Sequence, residues 1–123
     1  NNRPLDMNTA SEALKDILPP PSRKKITIEV IQKMICNYYH IDLNEMLSKK
    51  RNKNLVYPRQ IAMYLCRKMT DASLPIIGDQ FGGRDHTTVM HGIEKIEKEL
   101  TDNQELANII NEFYKQLEQN YAS

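Results

Sequence analysis

The chain has 123 residues and a mass of 14.3 kDa, which suits one domain with a short appendage. It is 40% hydrophobic and 27% charged, as is typical of globular proteins, and it contains no apolar run of the length that spans a membrane. Cys36 and Cys66 lie far apart without a histidine at ligand spacing, so neither a disulfide framework nor a zinc site is predicted. No Ser/His/Asp set, carboxylate pair or phosphate-binding glycine loop occurs in context, which argues against an enzyme.

The net charge of +1 conceals an uneven distribution of charged residues. Residues 22–69 contain eleven Lys or Arg and three Asp or Glu, a balance of +8, whereas residues 99–123 sum to −4. This asymmetry indicates a polyanionic partner, either nucleic acid or an anionic membrane. A solvated cationic face would produce the same pattern, so charge alone leaves these interpretations open.

The first 25 residues are predicted to form an arm or a connector between domains. Thr9 and Glu12 have the spacing of a capping box, and the apolar residues that follow predict an amphipathic helix over about residues 10–18. Three prolines at 19–21 end this helix because they lack amide donors and restrict the backbone. A basic cluster follows at residues 22–25.

Helical periodicity runs almost without interruption from Ile26 onward, and residues 26–123 are predicted to be one domain. Thr27 is placed to cap the first helix of this domain, and Asp42 with Glu45 forms a capping box for a short second helix. The cationic segment, residues 48–54, then breaks the pattern because it is polar and has no apolar period.

Pro58 predicts the start of the next helix, because proline is favoured in the first turn. Ser73 is placed to cap a brief helix near residues 74–80, and Gly82 and Gly83 favour a tight turn after it. Asp85 then caps a longer helix that ends near Leu100, and Asp102 with Glu105 caps a last one. Gly92 inside the longer helix is predicted to weaken it by about 1 kcal/mol.

Residues 73–100 have the order of a helix-turn-helix: a short helix, a glycine turn and a longer second helix. Such a second helix enters the DNA major groove by its first turn, which here is Arg84-Asp85-His86-Thr87-Thr88. Asp accepts from the amine of cytosine, Thr offers a hydroxyl and a methyl group, and His can donate or accept. Glycine-turned helix pairs are also common packing corners, so the pattern by itself leaves that alternative open.

Three separated motifs carry a resemblance to a known family: PRQIAMYL at residues 58–65, SLP with IG at residues 73–78, and GGRDHTTV at residues 82–89. Over about residues 26–117 the chain resembles the C-terminal DNA-binding domain of the DnaA family of bacterial replication initiators. The resemblance implies an all-α, six-helix bundle with a Trp-repressor-like helix-turn-helix, preceded by a helical arm. It also implies binding to a DNA box similar to TTATNCACA.

The resemblance further implies which residues meet DNA. Asp85, His86 and Thr87 are expected to contact bases in the major groove, and Arg51 is expected to enter the adjacent minor groove. Arg59 and Gln60, at the start of the predicted Pro58 helix, are expected to hold backbone phosphates. The full set of expected backbone or van der Waals contacts is Lys50, Arg59, Gln60, Arg67, Leu74, Pro75, Thr88 and Lys95.

The expected partner is therefore double-stranded DNA at a replication origin, in the cytoplasm. Residues 1–25 resemble the end of an ATP-binding AAA+ module and its connector, so ATP or ADP and self-assembly are expected of that module. No cofactor or metal is expected in this part. The alternative function is a membrane- or protein-interaction module, in which the helix over residues 10–18 and the basic cluster meet acidic phospholipids.

Overall fold

Six α-helices and no strands make up residues 25–120, the part of the chain that the computed structural model describes. The all-α prediction is confirmed, whereas the predicted arm helix over residues 10–18 lies outside the described residues. None of the described helices is long and apolar enough to cross a membrane. The helices are α1 (Ile28–Tyr39), α2 (Leu43–Met46), α3 (Lys53–Met69), α4 (Leu74–Gln80), α5 (His86–Leu100) and α6 (Gln104–Asn120).

The first two helices begin where the sequence predicts, but only one has the predicted cap. The Thr27 hydroxyl accepts a hydrogen bond from the Val30 amide at 3.2 Å, which satisfies a free donor of the first turn of α1. Asp42 precedes α2 but its side chain makes no capping hydrogen bond, so the predicted capping box is absent. With only four residues, α2 depends on packing, and its Met46 side chain is fully buried.

The start of α3 differs from the prediction by five residues. The helix begins at Lys53 because the Asn52 carbonyl already accepts from the amides of Leu55 and Val56, at 2.9 and 2.8 Å. Pro58 therefore lies inside the helix, where it removes one backbone hydrogen bond. Burial of Leu55 and of Pro58 itself compensates for this loss, since packing overrides local preference. The predicted cationic segment, residues 48–54, is therefore split. Residues 48–52 form a loop, which we call the basic loop, whereas Lys53 and Asn54 belong to α3.

The helix-turn-helix region agrees closely with the sequence. The Ser73 hydroxyl accepts from the Ile76 amide at 3.4 Å at the start of α4, and Asp85 is the N-cap of α5. The last helix, α6, begins one residue later than predicted. Its first turn is capped by Asn103 and not by Asp102, because the Asn103 side chain accepts from the Leu106 amide at 3.0 Å. Asparagine is as good an N-cap as aspartate, and the sequence offers both.

The core of the described residues lies between α3 and the helices around it. Consecutive residues of α3 from Ile61 to Cys66 are buried, because α1, α2, α4 and α5 pack on different sides of this helix. The apolar stripe of α5 packs against α3, and α6 adds Leu106, Phe113 and Leu117 to the same core. The polar start of α5 is thereby left on the surface, beside the basic loop.

Candidate nucleic-acid interface

The turn between α4 and α5 is built on one backbone carbonyl. The Gly78 oxygen accepts from the amides of Phe81, Gly83 and Arg84, at 3.1, 3.1 and 2.9 Å. A Cβ atom at Gly78 would lie 2.0 Å from the Arg84 oxygen, so no side chain fits there. Gly82 has a φ of +84°, in the region that favours glycine. Backbone hydrogen bonds within the turn therefore help to set the orientation of α5.

The first turn of α5 presents polar side chains to solvent. The Asp85 carboxylate accepts from the Thr88 amide at 2.9 Å, and this hydrogen bond lowers the pKa of the carboxyl. His86, Thr87 and Thr88 are exposed, while Val89 immediately after them is fully buried. The buried valine anchors the helix, so the exposed side chains before it stand on a rigid support.

Two arginines hold the start of the basic loop, Arg59 from α3 and Arg84 from the turn before α5. Arg59 is only 4% exposed, and its Nε donates to the Met46 carbonyl at 2.6 Å. The Ser48 carbonyl accepts from Arg59 Nη2 at 3.3 Å and from Arg84 Nη2 at 2.6 Å. Arg84 also donates to the Phe81 carbonyl, so its guanidinium connects the glycine turn to the loop.

A groove of about 690 Å³ lies between the basic loop, α3 and the start of α5. It is open to solvent and strongly cationic, since four of its ten lining residues are Lys or Arg and one is Asp. Five residues with a predicted role in DNA binding meet in this groove: Arg51, Arg59, Gln60, Asp85 and Thr88. The remaining lining residues are Lys49, Val56, Met63, Gly83 and Arg84.

The other predicted contact residues do not line this groove. Gln60 and Lys95 line a neighbouring cavity of about 400 Å³ on the side of Lys53. Lys50 forms an exposed ion pair with Glu45 at 3.1 Å. The remaining predicted residues occupy helix ends. Arg67 is near the end of α3, where its Nη1 donates to the Ala72 carbonyl at 3.0 Å. Half-buried Leu74 and exposed Pro75 begin α4, and exposed His86 and Thr87 begin α5.

Comparison with known proteins assigns the chain to a family. Residues 28–96, more than half of the chain, match the family model described as the bacterial dnaA protein helix-turn-helix. The chain belongs to this family. A crystal structure of a protein described as a DNA replication initiation factor is similar, with 39% sequence identity and a TM-score of 0.66. The match covers 72% of this chain and 27% of that one, so the chain corresponds to about a quarter of the similar protein.

This DnaA helix-turn-helix domain is thus a DNA-binding module. Its groove also contains Arg84, which the sequence placed in the first turn of the second helix without assigning it a contact. Arg84 stands inside the GGRDHTTV motif, yet nothing local shows that its side chain turns back to the basic loop. Arg59 differs from expectation too: it does not lie at a helix N-terminus, because α3 begins six residues earlier, at Lys53. Burial and the nearby charge of Arg84 lower the pKa of Arg59 to about 10. Its contact with a phosphate stays a prediction.

Metal chemistry receives no support from this part of the chain. Residues 25–120 contain no group of three or more His, Cys, Asp or Glu side chains that could hold a metal ion. Both cysteines are buried, and burial raises the pKa of the Cys66 thiol to about 12. A thiol in that environment is a poor nucleophile.

Proposed function

We propose that this domain binds double-stranded DNA at boxes similar to TTATNCACA and thereby brings a replication initiator to its origin. The observation that carries the proposal is the shared groove, in which the basic loop stands beside the polar start of α5. A helix end for the major groove and a cationic loop for the minor groove are the two parts that such recognition needs. Family membership supports DNA as the ligand.

In the proposed complex, α5 enters the major groove by its first turn. Asp85 accepts from a cytosine amine, Thr87 contacts a base edge through its hydroxyl or methyl group, and His86 donates or accepts. All three side chains are exposed, so they reach base edges without rearrangement of the core. These contacts would supply the sequence preference, since contacts with phosphates carry no base information.

Arg51 is proposed to read the minor groove at the A·T end of the box. It lines the cationic groove and is exposed. A narrow A·T-rich minor groove has an enhanced negative potential, which attracts arginine more than lysine because guanidinium is less strongly hydrated. Backbone contacts from Lys50, Arg59, Gln60, Arg67, Thr88 and Lys95, with van der Waals contacts from Leu74 and Pro75, would set the register on the duplex.

Residues 1–25 are assigned roles that involve other parts of a longer protein. Residues 1–25 are proposed to connect this domain to an AAA+ module that would bind ATP or ADP and self-assemble in the cytoplasm. Acidic phospholipids are a further proposed partner of residues 10–18 and 22–25. Lys25, the last residue of this segment, is exposed.

A titration with two duplexes at two salt concentrations tests the proposal. One duplex contains TTATCCACA and the other a scrambled sequence of the same composition. We expect much tighter binding to the first, and a decrease of affinity with salt for both, because phosphate contacts release counterions. Equal affinity for the two duplexes at both salt concentrations would contradict sequence-specific binding and leave only a general cationic surface.

A further inference from the structure

The Ser48 carbonyl stands at the junction of the two proposed readers. Ser48 immediately precedes the cationic residues of the basic loop, and Arg84 immediately precedes Asp85, the N-cap of α5. The 2.6 Å hydrogen bond from Arg84 Nη2 to the Ser48 oxygen therefore joins segments 36 residues apart in sequence. Because Arg84 also donates to the Phe81 carbonyl, one planar guanidinium spans the turn and the loop.

Further contacts press the loop and the turn together at the same place. A Cβ atom at Gly82 would lie 2.1 Å from the Leu47 oxygen, so the two backbones are nearly in contact. Lys49 Nζ donates to the Gly82 carbonyl at 3.5 Å. The Arg84 bridge is thus one of several contacts that join the basic loop to the glycine turn.

The two arginines satisfy the Ser48 carbonyl at a high electrostatic cost. Two guanidinium groups of like charge converge on the Ser48 oxygen, and each hydrogen bond that they make within residues 25–120 ends on a neutral backbone carbonyl. Burial and the charge of Arg84 lower the pKa of Arg59 to about 10, which reflects the cost of this arrangement. A neutral donor would satisfy the same oxygen at a lower electrostatic cost. What two guanidinium groups add is a rigid, branched connection with several donors.

We propose that Arg84, supported by Arg59, is a positioning residue that holds Arg51 at a set distance from the first turn of α5. The inference rests on the proposed function, in which Arg51 and α5 read opposite ends of one box. Arg84 acts through Arg51 in this arrangement and reads no base itself. The positions of the two readers are then coupled, so a box is recognised as a unit and not as two independent halves.

The variant Arg84→Lys tests the bridge while it retains the positive charge. A lysine has one nitrogen and cannot span the Phe81 and Ser48 carbonyls as the planar fork does. We expect binding to the TTATCCACA duplex to weaken about tenfold, the effect of losing one charged hydrogen bond. The loss should disappear on a duplex whose A·T end is replaced by G·C pairs. The dependence of affinity on salt should stay unchanged, because no phosphate contact is lost.

A double-mutant cycle separates positioning from direct contact. In an Arg51→Ala background, Arg84→Lys should change affinity less than about twofold, because the side chain through which it acts is gone. Additive losses in the two variants would overturn the inference and make Arg84 an independent contact or a general support of the fold. Arg67→Lys is the matched control, since Arg67 also donates to a backbone carbonyl but in another loop. Its effect should be additive with Arg51→Ala and should leave the A·T-end preference unchanged.

Folding and the proposed function are checked separately. The thermal midpoint of each variant is measured without DNA; if Arg84→Lys unfolds at the assay temperature, Arg84→Gln replaces it, because a neutral side chain relieves the repulsion with Arg59. The same selective loss is expected from Arg84→Gln, and an unaltered A·T-end preference in a folded variant would refute the positioning role. Failure of the unmodified domain to distinguish cognate from scrambled duplex would refute the proposed function instead.

Discussion

The glycine turn and the basic loop face the same groove but are held in place by different means. In the turn, the Gly78 carbonyl accepts three amides from residues that follow within the next six positions. In the loop, the Ser48 carbonyl is held by side chains that lie 11 and 36 residues away in sequence. The turn thus has a framework of hydrogen bonds among its own backbone atoms, whereas the loop carbonyl is held by side chains that are distant in sequence.

We therefore expect substitutions in the turn to affect stability and substitutions in the loop to affect DNA recognition. A turn built on close backbone contacts cannot tolerate a side chain at those contacts, so damage there should appear as loss of stability. A loop held from outside can change position while the core stays intact, so damage there should appear as altered base preference. The following predictions test that division, beginning with the largest expected effect.

Gly78→Ala should strongly destabilise the domain. The new Cβ atom would lie 2.0 Å from the Arg84 backbone oxygen, and neither backbone segment can move without breaking the hydrogen bonds of the turn. We expect the free energy of unfolding to fall by about 3 kcal/mol or more, at the upper end of overpacking effects. Chemical denaturation followed by circular dichroism measures this.

Gly83→Ala is the matched control for Gly78→Ala. Gly83 has a φ of +80° but no atom within 4 Å of the Cβ position, so only backbone strain is added. That strain should cost about 1–2 kcal/mol. If the two alanine variants were equally stable, the close approach at Gly78 would not be what shapes the turn.

Thr87→Ala and His86→Ala should alter recognition without altering stability. Both side chains are exposed, so neither variant removes packing. We expect a loss of about 1–3 kcal/mol in binding to the cognate box and little change on a scrambled duplex, because base contacts specify and phosphate contacts position. Equal losses on both duplexes in a folded variant would remove these residues from the set of base readers.

Arg51→Lys should give a smaller and more local effect. The variant keeps the charge but loses the planar fork and the easier desolvation of guanidinium. We expect a loss of about 1 kcal/mol, confined to boxes with an intact A·T end. Lys50→Arg is the control in the same loop and should bind like the unmodified domain. Titrations of both variants on boxes altered at the A·T end distinguish a minor-groove reader from a general cationic anchor.

Gly92→Ala should have the smallest effect, because two opposing contributions nearly cancel. Alanine improves helix propensity by about 1 kcal/mol. The added Cβ atom, however, would lie 2.8 Å from Met63 Cε and 3.3 Å from Gln60 Cγ, on α3. A methionine end moves easily, so we expect a net change in the free energy of unfolding below about 1 kcal/mol. A large loss of stability would show that the packing of α5 on α3 tolerates an added side chain as poorly as the glycine turn does.

Local chemistry made part of this structure predictable. Thr27, Ser73 and Asp85 were identifiable as caps because each accepts from an amide three residues ahead, a relation confined to one turn. The bounds of α4 and the end of α5 follow from the same kind of short-range signal. The resemblance added the contact residues, of which five line one groove.

Other features could not be read from neighbouring residues. The predicted start of α3 at Pro58 was wrong because Asn52 caps the helix through its backbone and burial of Leu55 outweighs the local preference of proline. Gly92 looked only like a weak helix position, whereas its lack of a side chain lets α5 approach Met63.

The all-α class and the order of short helix, glycine turn and longer helix were predictable from local signals, since caps, apolar periods and positive-φ residues act over a few positions. The contacts of the arginine side chains, in contrast, depend on the fold. Arg59 and Arg84 are far apart in sequence, and both turn towards the Ser48 carbonyl. A long flexible side chain has no preferred partner in the sequence, so its role depends on which backbone oxygen the fold brings within reach.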